Sequence, residues 1–148
     1  MSVTVEMNFD LKKIKLNLSK ELNFVGQIIK KDHYQRLEEG KAVNGSGMQQ
    51  LQPATIKRKG NSKILVDSGK MRNLIVKKAS SKKQIVEVHP GRREKYKNSK
   101  VTMADVGRFH QEGAGSLPVR EWFGISEDAE ARALKLIEQR IEQEINRA

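Results

Sequence analysis

The residues of this chain whose types could do chemistry are three imidazoles, a serine flanked by glycine and an acidic turn. His33, His89 and His110 fall on separate expected elements, without His-Glu-x-x-His spacing or a nearby acidic cluster. A general base needs an oriented partner and a cleft, so packing is the expected role of each. Ser116, in Gly115-Ser116-Leu117-Pro118, lacks the second glycine of a nucleophile elbow. Gly45 and Gly47 form a Gly-x-Gly with no strand leading in and no third glycine following, so a dinucleotide cradle is not expected, and no P-loop is present. With no cysteine, disulfides and thiolate metal sites are excluded. No catalytic group, cofactor or metal is therefore expected.

What remains is charge. The formal net charge is +11, and residues 57–100 hold 15 of the 29 Lys and Arg against 3 of the 18 acids. Lys57, Arg58 and Lys59 open this segment; Lys77, Lys78, Lys82 and Lys83 lie on a hairpin; Arg92, Arg93 and Lys95, with Lys97 and Lys100, lie beyond it. Such a field attracts polyanions and repels itself unless a partner relieves it. Two readings stand level: a solvated face that maintains solubility, or contact with DNA or a neighbouring subunit. Tyr96 is the only ring among these residues, which argues against a base-stacking platform for single strands.

The elements that must carry these groups follow from periodicity. Val3, Val5, Met7, Phe9 and Leu11 alternate with polar residues as a half-buried strand does. From Leu18 the period turns helical through Leu22, Val25 and Ile29, with Ser19 as N-cap and Gly40 as the stop. Residues 41–50 have too little apolar content to pack and read as a mobile loop, as do residues 91–103. Pro53 starts a short helical turn ahead of a basic loop. At Asp67-Ser68-Gly69 two side chains can accept from nearby amides and a glycine can take angles closed to other residues, a tight start to a new element. Asn73 to Ala79 and Gln84 to His89 read as antiparallel strands about Ser80–Lys83. Arg120, in the apolar segment Val119 to Ile125, must satisfy its donors on carbonyls or a carboxylate. Ser126 caps a last helix with the apolar stripe Leu134, Ile137, Ile141 and Ile145, expected to pack on the sheet. One domain over residues 1–148 is expected: an α+β fold, a small mostly antiparallel sheet packed by two long helices, with a projecting basic β-hairpin. Neither a signal for export nor a membrane span is indicated.

Three pieces in order, Leu65-Val-Asp-Ser-Gly-Lys-Met71, Phe109-His-Gln-Glu-Gly113 and Val119-Arg-Glu-Trp-Phe-Gly124, resemble the phage virion morphogenesis family, whose members complete tails and join them to heads. The likeness covers Leu51 to Ile125 and the helix after it; Leu51, Pro53, Thr55 and Lys57 look similar as well. The residues within the family pattern are Leu65, Asp67, Ser68, Gly69 and Met71, then His110 and Gly113, then Arg120, Trp122, Phe123 and Gly124. The basic stretch Arg92 to Lys100 is longer than that pattern. The resemblance implies a structural virion protein without catalysis, assembled in the host cytoplasm into the neck or tail end. Its partners would be copies of itself in a homo-oligomeric ring and adjacent tail tube, terminator or connector proteins, with non-specific contact to packaged DNA and no membrane. The acidic outer face of the last helix, with Glu138, Arg140, Glu142 and Glu144, is expected to meet the basic hairpin of a neighbouring copy head to tail. The alternative is a cytoplasmic nucleic-acid-binding protein using residues 57–100.

Overall fold

One glycine and a set of branched residues determine how closely the first long helix can lie on the sheet. The computed structural model describes residues 1–6, 16–67, 69–91, 95–96 and 99–147. The elements are β1 (Val3–Glu6), α1 (Ser19–Glu39), α2 (Pro53–Lys59), a single 3-10 turn (Lys70–Arg72), β2 (Ile75–Lys77), β3 (Ile85–His89), α3 (Met103–Glu112) and α4 (Glu127–Arg147). The sheet is antiparallel with order β1-β3-β2; Val5 faces Val86, and Val76 and Val3 both face Val88. The chain is thus α+β, a small antiparallel sheet with four helices among the described residues. On the central strand Val86 and Val88 alternate with more exposed neighbours and are wholly buried beneath α1. Leu22, Val25 and Ile29 of α1 meet them, each apolar side chain so removed from water contributing about 1.5–3 kcal/mol. Gly26 sits among these residues, where a Cβ would approach Val76 and Val86 methyls to 2.8 and 2.9 Å, so its missing side chain sets the helix-to-sheet distance.

The expected first strand is seen as Val3–Glu6, its remainder falling outside the described residues. Ser19 is not the N-cap of α1. Leu18 occupies that position, and the Asn17 carboxamide accepts the Ser19 amide instead, at 3.0 Å. Gly40 ends the helix at φ 65°, as its left-handed freedom allows. The hairpin forms with fewer paired residues than expected, and it is tethered. The Asn23 carboxamide accepts from Ala79 N at 2.7 Å and donates to Ala79 O at 3.2 Å, so only Ser80–Lys83 extend beyond the tie.

Three expectations change in three dimensions. Residues 41–50 do pack: Ala42 and Met48 join the core, Lys41 bridges to Gly47, and Val43 N donates to Glu121 O at 2.9 Å. A loop short of apolar mass is held here by its own backbone amides and by the segment it crosses. The His110 region, to which the sequence pattern assigned no helix, is one, α3. Thr102 and Asp105 cap it reciprocally, the Asp105 amide donating to Thr102 Oγ1 at 3.1 Å and the Thr102 amide to Asp105 Oδ2 at 3.0 Å. Finally, α4 makes its main contacts with α1 rather than the sheet, running antiparallel to it: Arg140 Nε meets Glu21 at 3.1 Å and Ser126 Oγ donates to Asp32 at 2.9 Å. Its buried side carries Ala129, Ala133, Leu136 and Ile137. Leu134 and Ile145 of the expected stripe stand 48% and 53% exposed, and Arg140 faces inward to Glu21.

Candidate functional site

The three pieces of sequence that stand apart along the chain converge around His33 of α1. In the first, Leu65 takes φ 59°, a left-handed angle unusual for a branched side chain, and Gly69 takes φ 81°. Leu65 and Met71 are both buried; Asp67, on the rim, accepts the Tyr96 hydroxyl at 3.3 Å. Ser68 lies outside the described residues. The Met71 carbonyl accepts His33 Nε2–H at 2.8 Å, which assigns the imidazole tautomer and leaves Nδ1 buried without a partner among the described residues. Burial is the main reason that His33 has a pKa lowered to about 4; it stays neutral.

The second and third pieces bind each other. Gln111 accepts the amides of Trp122 and Phe123 at 3.1 and 3.2 Å, and Trp122 Nε1 donates to Gly107 O at 2.8 Å. Trp122 is fully buried, 5.3 Å from the His33 ring and 5.5 Å from Phe123. Gly113 ends α3 at φ 68°, and the chain returns so that Arg120 N donates to His110 O at 2.8 Å. The buried Arg120 guanidinium donates through Nε and Nη2 to the single carbonyl of Gln49, each at 3.2 Å. It thereby finds a backbone carbonyl, as expected, and ties the third piece to the chain ahead of α2. Gly124 rests on Val43, whose methyls a Cβ would approach to 3.3 Å.

Two residues of this node were missed by sequence reasoning. Asp32 and Arg36 form a shielded ion pair at 2.9 Å, and Arg36 Nη1 also donates to the Trp122 carbonyl at 3.1 Å. Their signal was present. Continuing the stripe Leu22, Val25, Ile29 by four and then three residues lands on His33 and Arg36, polar side chains at core positions that must be paired, and Asp32 stands four residues before Arg36.

Between α2, the Leu65–Met71 turn, α3 and the returning loop lies a groove of about 610 Å³. Its floor is apolar, with Leu51, Leu65, Met71, Met103 and Val106. Its rim is cationic, with Arg58, Lys59 and Lys70, while His110 and Arg120 line it more deeply. Asp67 is the one carboxylate among these lining residues. Burial, with the Arg120 and Lys59 charges, holds the His110 imidazole below its usual range. The charged neighbours that act on it among the described residues are both cations. Lys59 is likewise lowered, chiefly by desolvation, and donates to Lys63 O at 2.7 Å. Among the described residues no group of His, Asp and Glu is placed to hold a metal ion, and no helix is long and apolar enough to cross a membrane.

The basic residues do not gather in one place. Lys77, Lys78, Lys82 and Lys83 are exposed at the hairpin, tied by Asn23 and Gln84 to the start of α1. Lys57, Arg58 and Lys59 lie at the opposite end of that helix, whose last turn is linked through Glu38 to Lys63 and Arg72. Twenty-one helical residues separate the two ends by about 30 Å. Lys95 bridges to Thr102 beside the groove, on the far side of β3 from the hairpin tip; Arg92, Arg93 and Lys97 lie outside the described residues. Among the described residues, the cations of the basic segment 57–100 thus stand at both ends of α1, with β3 running between the hairpin tip and Lys95. No family model matches the chain, nor does any curated protein or solved structure.

Proposed function

We propose that this chain is a structural subunit of a tailed phage or phage-like particle, forming a ring at the neck or tail end and acting in tail completion and head-tail joining. One observation supports the reading. The three pieces that resemble the virion morphogenesis family close on one another in space, and a residue of each anchors backbone or core: Met71 to His33, Gln111 to Trp122 and Phe123, Arg120 to Gln49. Residues spent on holding a rigid shape suit a part whose work is to be fitted between other parts. The rival, a free nucleic-acid-binding protein, draws on the same charge. A basic surface split over about 30 Å gives a poorer continuous footprint than the sequence suggested.

The test is deletion in the phage or prophage that encodes the chain, with virions examined by electron microscopy. The expected result is filled heads and separate, unfinished tails, restored by the gene in trans. Normal particles from the deletion would overturn the reading. Tight binding of DNA by the monomer, with a salt slope of several phosphates, would favour the rival.

A further inference from the structure

The outer surface of α4 and the groove are complementary in both shape of charge and apolar character, yet cannot meet within one molecule. Leu134, Glu138, Glu142 and Ile145 follow one another at spacings of four, four and three, which places them on one stripe about 16 Å long. All four are exposed, Leu134 and Ile145 by about half. The stripe faces away from α1, because Ala129, Ile137 and Arg140 take the inner side. It thus offers apolar side chains among carboxylates, where the groove offers an apolar floor within cations.

Resting on the ring-subunit reading, we propose that the groove receives the outer stripe of α4 from a second copy of this chain. Leu134 enters the floor over Leu65, Met71 and Met103, and Glu138 and Glu142 meet Arg58, Lys59 and Lys70. The acceptor is the groove and not the hairpin tip, since Ser80–Lys83 are wholly exposed and present no apolar surface to cover Leu134. Donor and acceptor are different patches of the same molecule, so the contact is head to tail and propagates until rotation closes it. Burial of Leu134 supplies the affinity, and the charged rim supplies the choice of register.

The chain contains no cysteine, so introduced thiols report on this contact alone. Full-length Leu134→Cys is mixed with full-length Thr55→Cys, whose position lines the groove, and oxidised; a Gly47→Cys with Thr55→Cys mixture serves as control. A disulfide-linked heterodimer is expected from the first mixture only, and a ladder from a chain carrying both substitutions. Adding Arg58→Glu to the groove copy should abolish the link, and adding Glu138→Arg to the other copy should restore it. Circular dichroism and the single tryptophan check that each variant is folded. A first mixture no more cross-linked than the control, or a link indifferent to the charge exchange, overturns the proposal. The deletion experiment judges the virion reading separately, since a particle can need this chain while its copies meet through another surface.

Discussion

Replacing Gly107 by alanine tests the packing that holds the third piece of the site in place. A glycine inside a helix ordinarily costs about 0.5–1 kcal/mol relative to alanine, so at an unencumbered position the substitution stabilises. Here a Cβ would stand 2.2 Å from Trp122 Cζ2, well inside the 3.5–4.0 Å of ordinary carbon contact. The indole cannot yield easily: it is wholly buried, packed at tilted angles against His33 and Phe123, and bonded through Nε1 to the carbonyl of Gly107 itself. Overpacking costs about 1–3 kcal/mol and the strained hydrogen bond about 1 kcal/mol more, against a propensity gain near 1 kcal/mol. The expected net loss is roughly 1–3 kcal/mol, or a fall in Tm of about 3–10 °C for a chain of this size. Urea and thermal unfolding followed by fluorescence measure it directly, because Trp122 is the sole tryptophan. Gly47→Ala, with nothing within 4 Å of the added carbon, is the control and should stay within about 0.5 kcal/mol of the parent. A Gly107→Ala protein as stable as the parent, with unchanged emission, would show that the indole does not rest on α3.

Acid should weaken the fold through His33. Its imidazole has a folded pKa of about 4, while the unfolded one titrates near the usual 6.5. Between these values the unfolded state binds more protons, so stability is complete above about pH 6.5 and declines as pH falls toward 4, by up to roughly 3 kcal/mol. Arg36 opposes protonation and Asp32 favours it, while the Met71 carbonyl and the rings of Trp122 and Phe123 complete the surroundings. Urea midpoints from pH 4 to 8 should show this slope, and His33→Gln should flatten it. Asp32→Ala strands the buried Arg36 guanidinium and removes the acceptor of Ser126, with an expected loss of about 3–5 kcal/mol; Asp32→Leu with Arg36→Met should lose clearly less, as double-variant unfolding curves would reveal. Thr102→Ala removes one half of the α3 capping box and should cost about 1 kcal/mol, with amide exchange faster in the first turn of α3 and unchanged in α1.

Much of the scaffold could be read along the chain because local periodicity carries it. Alternation at Val3–Glu6, the helical stripe of Leu22, Val25 and Ile29, and the break at Gly40 each state a local preference that the fold keeps. The pairing of β2 with β3 follows likewise from a short link between β-branched runs. α3 was legible too, in Thr102-x-x-Asp105, but the polar run His110 to Glu112 obscured its amphipathic period. The site was only half legible. Sequence order named Met71, Trp122 and Phe123, whereas the residue that joins them is His33, which belongs to another element, α1.

The sequence alone determined the types of the elements with clear periodicity, the net charge and the absence of thiol chemistry, since these depend on neighbours along the chain or on counting. Only the tertiary structure decided that α4 lies on α1, that the cations divide between two ends, and that one group of them borders an apolar groove. Those facts depend on which faces are brought together, and a one-dimensional pattern specifies a face without specifying what will cover it.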